Sequence, residues 1–381
     1  MKKEIYLDWA ATSYPKPKEV VSAVTSFFND VGVSSGRGAY KRAFFADNII
    51  YECRKSAATL FNISDPSRIV LTSGATESIN LALKGYLKSG DHVVTTSLEH
   101  NAVIRTLHRL KSERGISYTI VKCDECGYFN LDDFQKSITD RTTLFAINHA
   151  SNVLGTILPI EKISEIAHSH GISVLIDAAQ SAGSIKVDAE NLSADFIAFA
   201  GHKSLLGPQG TGGLYIRDGL SLAPLKEGGT GSDSKSLTMP ENVPERFEAG
   251  TLNYPGLCGL KEGIKHINNI GIDEIRKYEL DIIKYALDGL STLKRVNLYG
   301  CGRAADMVGV FTFNIEGYEP SRVAHLLDCE HNIMVRAGLH CAPLAHESIG
   351  TDGTGAVRVS IGYATTKKEI DIFIGALGEL S

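Results

Sequence analysis

Residues 174–203 read VLIDAAQSAGSIKVDAENLSADFIAFAGHK. This segment holds two short apolar runs, the first ending in Asp177 and the second leading into Lys203. On both sides of it, from about Arg68 to Ile216, further short β-rich runs alternate with amphipathic stretches of helical length. Such alternation is typical of an α/β fold in which helices cover a mostly parallel sheet.

Seven of these runs are predicted as strands of that sheet, with helices between them. The predicted strands are Ile69–Thr72, His92–Thr96, Tyr118–Val121, Leu144–Asn148, Val174–Asp177, Phe196–Phe199 and Gly213–Ile216. The predicted helices are Thr76–Leu87, Ala102–Arg114 and Ile160–His168. In such sheets ligands bind outside the carboxyl ends of the strands, so we expect the chemistry in the loops that leave those ends.

The rest of the chain predicts a second domain, since 381 residues exceed what one hydrophobic core usually serves. Residues 220–251 are rich in Gly, Ser, Thr and Pro, as in GGTGS at 228–232, which predicts a long functional loop or a domain border. We expect a large domain of residues 16–252 and a smaller α+β domain of residues 253–381, which residues 1–15 join. The elements predicted for it are helices at Cys258–Asn269 and Ile275–Leu293, strands at Val310–Ile315, Ile333–Val335 and Val357–Ile361, and a final helix opened by the capping box Thr366-Lys367-Lys368-Glu369.

The composition is that of an ordinary globular protein, with 43% hydrophobic and 22% charged residues. A net charge of -5 without clustered Lys and Arg argues against nucleic acid or an anionic membrane as partner, and so favours small molecules. The N-terminus reaches Glu4 and Asp8 before any long apolar run, and no later stretch approaches the length of a membrane span. We therefore expect a cytoplasmic protein.

The seven cysteines are odd in number and irregularly spaced, which indicates reduced thiols rather than a disulfide framework. Cys123 and Cys126 form a lone C-x-x-C. Zinc would need a second pair of ligands, and redox motifs begin a helix, whereas the sequence around Cys126 is typical of a turn. The sequence therefore predicts no metal site.

A predicted strand runs into a turn of small residues and then a helix at Leu71-Thr72-Ser73-Gly74-Ala75-Thr76-Glu77-Ser78. Small residues let the backbone approach a ligand, while the free N–H groups and the dipole of the helix favour an anion. Thr76 could add a hydroxyl donor. This geometry is typical of a phosphate site, although Ser73 or Thr76 could equally cap the helix.

The apolar run at 174–177 ends in a carboxylate at the edge that faces ligands. A buried Asp177 needs a cationic partner, and a protonated pyridine nitrogen is one such partner. Asp177 could instead cap a helix or bind a metal, but no neighbouring His or carboxylate completes a metal site.

Lys203 follows a strand and lies among small residues and proline rather than on a charged helix face. Its amine could form a Schiff base, because burial and a neighbouring cation lower the pKa of such a lysine. A lysine alone is usually a solvated charge. The three segments reinforce each other as parts of one ligand site.

The chain resembles fold-type I pyridoxal phosphate (PLP) enzymes of the class V aminotransferase group, and within it the cysteine desulfurase and selenocysteine lyase branch. The resemblance covers nearly the whole chain. The motifs that carry it are Tyr6-Leu7-Asp8-Trp9-Ala10-Ala11-Thr12, Ser73-Gly74-Ala75-Thr76-Glu77, Glu99-His100-Asn101, Ser151-Asn152-Val153-Leu154-Gly155, Asp177-Ala178-Ala179-Gln180, Gly201-His202-Lys203 and Arg336-Ala337-Gly338-Leu339-His340-Cys341 with Arg358.

The resemblance implies roles for several residues of these motifs. Lys203 would bind the PLP aldehyde, Asp177 the ring nitrogen, and His100 would stack on the ring. Asn152 and Gln180 would contact the ring hydroxyl, and Ala75, Thr76 and His202 would contact the phosphate. The chain would form a homodimer, in which Thr251 would contact the phosphate bound by the partner subunit. Taken alone, His100 and Gln180 could cap helices and Asn152 could hold a turn.

Cys341 lies between a histidine and Ala342-Pro343, ahead of a loop rich in Gly, Thr and Ser. A mobile loop suits a thiolate that attacks the sulfur of a cofactor-bound cysteine, because the attack gives an enzyme persulfide and releases alanine. The resemblance makes Cys341 the leading candidate for this nucleophile. Arg358 would anchor the substrate carboxylate, with Arg336 as a second candidate and either able to form a structural ion pair. Many relatives have Ser or Thr at Ala200 and Asn at Trp9.

We therefore predict a PLP-dependent cysteine desulfurase that acts on a small amino acid. The alternatives are a selenocysteine lyase with the same site, another enzyme of the aminotransferase type, and a binding partner in a sulfur-transfer assembly. A sulfur or selenium acceptor protein is a further expected partner.

Overall fold

The apolar runs of the α/β region form one sheet, and those near the C-terminus form two smaller ones. The computed structural model describes residues 4–34, 38, 40–231 and 235–380. Its strands are β1 (Ile5–Tyr6), β2 (Ile69–Thr72), β3 (His92–Thr96), β4 (Ser117–Val121), β5 (Thr142–Asn148), β6 (Ser173–Asp177), β7 (Phe196–Ala200), β8 (Gly212–Ile216), β9 (Val296–Tyr299), β10 (Val310–Ile315), β11 (Ile333–Met334), β12 (Arg336–Gly338) and β13 (Ala356–Ser360).

Helices connect most of these strands and cover the sheets. They are α1 (Lys18–Ser26), α2 (Lys41–Leu60), α3 (Ala75–Tyr86), α4 (Asn101–Arg114), α5 (Leu131–Lys136), α6 (Ile160–Ser169), α7 (Tyr254–Ile270), α8 (Ile272–Leu290), α9 (Pro320–His331), α10 (Pro343–Ser348) and α11 (Lys367–Leu380). A π-helical turn at Phe27–Val31 extends α1. Within the described residues, no helix is long and apolar enough to cross a membrane.

The large sheet has seven strands in the order β2-β8-β7-β6-β5-β3-β4. Every neighbouring pair is parallel except the two that involve β8, which runs antiparallel to β2 and β7. The central strands are buried on both faces, which explains their continuous apolar sequences. The predicted α/β class with a mostly parallel seven-stranded sheet is confirmed.

The smaller four-stranded sheet has the order β12-β13-β10-β9 and is antiparallel throughout. Phe311 and Phe313 of β10 form the core of this sheet together with Phe373 of α11 and apolar side chains of α8. The N-terminal segment joins this part of the molecule, because β1 pairs in parallel with β11 and Asp8 bridges to Ser360. The α+β grouping of the C-terminal elements is thus present.

Helix α7 packs against α1 and α2, and its apolar side chains belong to the core on one face of the large sheet. The predicted division at residue 252 therefore stays a prediction. Residues 220–231 and 235–251 are mostly irregular, with a 3-10 turn at Glu245–Phe247, while Ser232 of the GGTGS stretch lies outside the described residues.

The bounds of the predicted elements shift by a few residues at most ends. The capping box is confirmed, because the N–H of Thr366 donates to Glu369 Oε2 (2.9 Å) and the N–H of Glu369 donates to Thr366 Oγ1 (3.3 Å). Helices α1 and α2 were not predicted. Their apolar residues do not all face the core, since Phe28, Phe44 and Phe45 are more than half exposed, and this blurs the helical period.

Candidate active site

One cavity of about 310 Å³ opens at the carboxyl edge of the large sheet, where β2, β3, β5, β6 and β7 end. Loops that leave these strands form most of its wall. All of the predicted site residues except Cys341 and Thr251 line it, namely Ala75, Thr76, His100, Asn152, Asp177, Gln180, His202, Lys203, Arg336 and Arg358. We call this space the central cavity.

Lys203 and Asp177 lie at the ends of neighbouring strands and face the central cavity. Desolvation lowers the pKa of Lys203 to about 8, although the charge of Asp177 opposes this. Burial raises the pKa of Asp177, while the N–H of Ala179 (2.9 Å) and the charge of Lys203 oppose that rise. Among the described residues Asp177 has no ion-pair partner, so a buried acid is available to a cation in the cavity.

Helix α3 begins at the cavity wall with Gly74 as its N-cap, and no side chain caps its first N–H groups. Gly74 has φ of +151°, which a residue with a Cβ rarely adopts. The backbone of Ala75 and Thr76 therefore offers free donors at the positive end of a helix. His202 faces the same cavity, and within the part of the chain that the structure describes its buried Nδ1 has no hydrogen-bond partner. These groups fit a phosphate.

His100 is the N-cap of α4, and its Nδ1 accepts the N–H of Ala102 (3.0 Å). Desolvation, helped by the charge of Lys203, lowers the pKa of His100 to about 4. The ring is therefore neutral at pH 7, with its proton on Nε2. The ring caps a helix and also lines the central cavity, so its stacking on a cofactor ring stays a prediction.

Two amides at the cavity are fixed by contacts to distant parts of the chain. Asn152 Nδ2 donates to the carbonyl of His340 (2.7 Å), and Gln180 Nε2 donates to the carbonyl of Ala10 (3.1 Å). Ala200 lies in the wall of the central cavity. Trp9 is buried and packs edge-on against Tyr6 and Tyr363 rather than facing the cavity.

Arg358 is held from two sides. Its Nη2 pairs with Asp8 Oδ1 (2.8 Å) and its Nη1 donates to the carbonyl of Asn152 (3.1 Å), while its buried Nε has no hydrogen-bond partner among the described residues. Arg336 lies on the neighbouring strand directly opposite Arg358 and is exposed. Thus Arg358 does form an ion pair, but both guanidinium groups still face the central cavity.

Cys341 lies just outside the central cavity and is exposed. Its carbonyl accepts the N–H of Asn101 (2.7 Å), which docks the cysteine loop on the first turn of α4. Both His340 and Cys341 have positive φ, +49° and +58°, so the loop is sharply turned at the thiol. A second depression begins at this thiol and shares Thr76, His100 and Ala102 with the central cavity.

A chain of buried imidazoles supports the cysteine loop from behind. His340 Nε2 donates to the carbonyl of Arg336 (3.4 Å), so its Nδ1 must accept from His346 Nε2 (3.1 Å). His346 Nδ1 then accepts the hydroxyl of Thr351 (2.7 Å). Desolvation lowers the pKa of His340 to about 3 and that of His346 to about 4, so both rings are neutral and each donor has one defined acceptor.

Thr251 does not line the central cavity of its own chain. It is exposed and lines a separate depression with Ser73, Glu77 and Lys226. The loop before it is fixed, because Glu248 forms a two-point ion pair with Arg54 and accepts the N–H of Leu71 (2.6 Å).

The Aminotransferase class-V family profile matches residues 5–373. The chain belongs to the class-V aminotransferase family. A protein of Methanothermobacter thermautotrophicus named "Probable cysteine desulfurase" is 37% identical to this chain, over 100% of this chain and 96% of that protein. The apo structure of a cysteine desulfurase from Thermococcus onnurineus matches with a TM-score of 0.92 and 36% identity, covering 99% of this chain and 94% of that one. The structure of an Escherichia coli cysteine desulfurase in the S-sulfonic acid form matches with a TM-score of 0.89 and 28% identity, covering 99% and 94%.

Three residues at or behind the site were given no role from the sequence: Asp8, Glu99 and His346. Glu99 is fully buried, and its Oε1 accepts from Thr96 (2.7 Å) and from the N–H of Asn148 (3.0 Å). Desolvation raises the pKa of Glu99 to about 8, so the neutral form of this carboxyl is favoured at pH 7. The signal that could have found Asp8 is the one used for Asp177, an acid directly after an apolar run.

The imidazole chain predicts a loss of stability in His346→Leu. The substitution leaves His340 Nδ1 buried without a donor and Thr351 without its acceptor, which should lower the free energy of unfolding by about 1–3 kcal/mol. His346→Gln, which retains a donor and an acceptor, should lose less. Urea unfolding of both variants measures the difference, and equal stability of His346→Leu and the wild type would contradict the hydrogen-bond chain.

Proposed function

We propose that this chain is a PLP-dependent cysteine desulfurase, which moves the sulfur of L-cysteine to Cys341 and releases L-alanine. The observation that carries the proposal is that Lys203, Asp177 and both candidate arginines share one cavity whose mouth adjoins the Cys341 thiol. Support also comes from the names of the similar proteins, which are cysteine desulfurases.

The residues at the cavity fit PLP. Asp177 would pair with the ring nitrogen, His100 would cover the ring, and Asn152 and Gln180 would serve the ring hydroxyl. The start of α3 at Ala75 and Thr76, together with His202, would hold the phosphate, and Lys203 would bind the aldehyde. When bound, PLP withdraws electrons from the substrate carbon next to the amine.

Lys203 is suited to move a proton, because a pKa near 8 leaves part of its amine as free base at neutral pH. In the proposed reaction its amine takes the Cα proton of the substrate. The Cys341 thiolate forms a bond to the substrate sulfur, and the carbon–sulfur bond breaks with its electron pair left on carbon. That carbon takes up a proton, and Cα takes back the proton that it gave up, so that alanine is released and Cys341 carries the persulfide.

Arg358 is the proposed anchor for the substrate carboxylate, with Arg336 as a second cation beside it. The pairing with Asp8 orients the guanidinium of Arg358, while its Nε keeps a donor for the carboxylate. Asp8 is therefore a positioning residue in this proposal.

We further propose a cytoplasmic homodimer in which Thr251 contacts the phosphate of the partner subunit. The exposure of Thr251 outside its own cavity and the firm attachment of its loop through Glu248 support this arrangement. The division into residues 16–252 and 253–381 with 1–15 belongs to the same proposal. Sedimentation of wild type and Thr251→Ala, with cofactor affinity measured for each, tests it: a monomer at working concentration overturns the dimer.

The experiment that tests the function is product analysis of the PLP-loaded protein with L-cysteine and with L-selenocysteine. Alanine and a persulfide from cysteine support the desulfurase. A large preference for selenocysteine would instead make the chain a selenocysteine lyase. A keto acid with pyridoxamine phosphate would make it an aminotransferase, and no turnover at all would leave a binding role in sulfur transfer.

The lowered pKa of Lys203 predicts the pH dependence of cofactor uptake. An amine attacks an aldehyde only as the free base, so attachment of PLP to the apoprotein should rise as the pH passes about 8, and not about 10.4 as for an exposed lysine. The charge of Asp177 raises this pKa, so Asp177→Asn should move the midpoint to lower pH. Borohydride trapping followed by mass spectrometry gives the midpoint, and a value near that of an exposed lysine would refute the burial argument.

A further inference from the structure

The depression that begins at Cys341 continues away from the central cavity between α3 and α4 and has a volume of about 370 Å³. We call it the basic groove. Its lining consists of Thr76, Asn80, Lys84, His100, Asn101, Ala102, Arg105, Thr106, Arg109 and Cys341. Three of these side chains are cations and none is a carboxylate, although the whole chain carries a net charge of -5.

The cations of the basic groove are not all neutralised by the chain itself. Arg109 pairs with Glu113 one turn further along α4. Within the described part of the chain, Arg105 and Lys84 have no ion-pair partner. Their charges therefore act on whatever enters the groove, and an anionic group is favoured there.

The length of the basic groove suits a short piece of polypeptide. From Thr76 to Lys84, α3 advances eight residues, or about 12 Å. An extended peptide covers that distance with about three or four residues. The Cys341 thiol lies at one end, so a peptide bound along the groove would bring one of its own side chains to that sulfur.

We propose that the basic groove docks the sulfur acceptor, and that the acceptor is a protein segment with Asp or Glu residues next to its accepting cysteine. This inference rests on the proposed function, because it needs a persulfide on Cys341. The acceptor thiolate bonds to the outer sulfur of the persulfide, and the sulfur–sulfur bond breaks with its electron pair returned to Cys341 Sγ. One sulfur atom moves, with no net oxidation.

The test uses synthetic pentapeptides with a central cysteine flanked by Asp and Glu, by Asn and Gln, or by Lys. The PLP-loaded protein is given cysteine labelled at its sulfur atom, and the rate at which labelled sulfur appears on each peptide is measured. The wild type should favour the acidic over the neutral peptide, and the double variant Lys84→Glu/Arg105→Glu should lower that ratio by roughly tenfold or more. Lys88→Glu/Lys162→Glu makes the same charge change on exposed residues outside the groove and should keep the wild-type ratio.

Alanine formation with uncharged dithiothreitol separates the possible failures. No alanine from the wild type overturns the proposed function, and this inference with it. Normal alanine formation with no peptide preference, or with a preference that survives in Lys84→Glu/Arg105→Glu, overturns the docking site alone. If the enzyme favours glutathione as acceptor but does not favour the acidic pentapeptide, the groove binds a small anionic thiol rather than a protein segment. That result also overturns the proposed docking site.

Discussion

Lys203→Ala is expected to lower alanine formation from cysteine by about 10³-fold or more and to abolish covalent attachment of PLP. The amine is the one lysine in the wall of the central cavity, as far as the described residues show, and its lowered pKa gives it the free base needed for proton transfer. Loss of a positioned acid or base commonly costs about 10²–10⁴-fold, and loss of the covalent link adds to this. Borohydride reduction followed by mass spectrometry should find no modified residue in the variant.

The matched control is Lys162→Ala, which removes an exposed lysine from α6 and changes the net charge equally. It should retain both turnover and borohydride labelling. Thermal unfolding of the two apoproteins shows whether Lys203→Ala still folds, which is expected because the substitution removes a buried amine that makes no hydrogen bond with another described residue. Wild-type turnover in a folded Lys203→Ala protein would refute the assignment of this lysine.

Much of the site was predictable because its residues follow strand ends. Asp177 and Lys203 each come directly after an apolar run, and parallel strands bring such positions to one edge of the sheet. The turn at Gly74 was predictable for a similar reason, since small residues precede a helix there. The local sequence thus predicted which residues line the central cavity, although only the family resemblance suggested which ligand these groups suit.

The ion pairs and hydrogen bonds that hold the site residues in place were not predictable, because they join residues far apart in the chain or depend on its detailed course. Asp8 and Arg358 are 350 positions apart, and a bridge between Asp8 and Ser360 brings the two segments together. His340 pairs with His346 across a loop in which His340 and Cys341 have positive φ, and no residue type there demands that conformation. Nothing in the spacing of Lys84 and Arg105 shows that their helices border one groove.

Removal of the Cys341 sulfur should have the second large effect. Cys341→Ala is expected to lower alanine formation from cysteine by at least about 10³-fold, the order found when a catalytic nucleophile is removed. The protein should still bind PLP, since Cys341 lies outside the central cavity and contacts α4 through its backbone carbonyl, which alanine retains. Mass spectrometry after incubation with cysteine should find no added sulfur on the variant.

Cys329→Ala is the matched control, because Cys329 is also exposed but lies on α9 beside His325. It should behave as the wild type in both alanine release and persulfide formation. Equal rates in Cys341→Ala and Cys329→Ala would show that sulfur leaves the substrate without this thiol. In that case the turned loop and the two imidazoles behind it would have a purely structural role, and the basic groove would lead to no reactive sulfur.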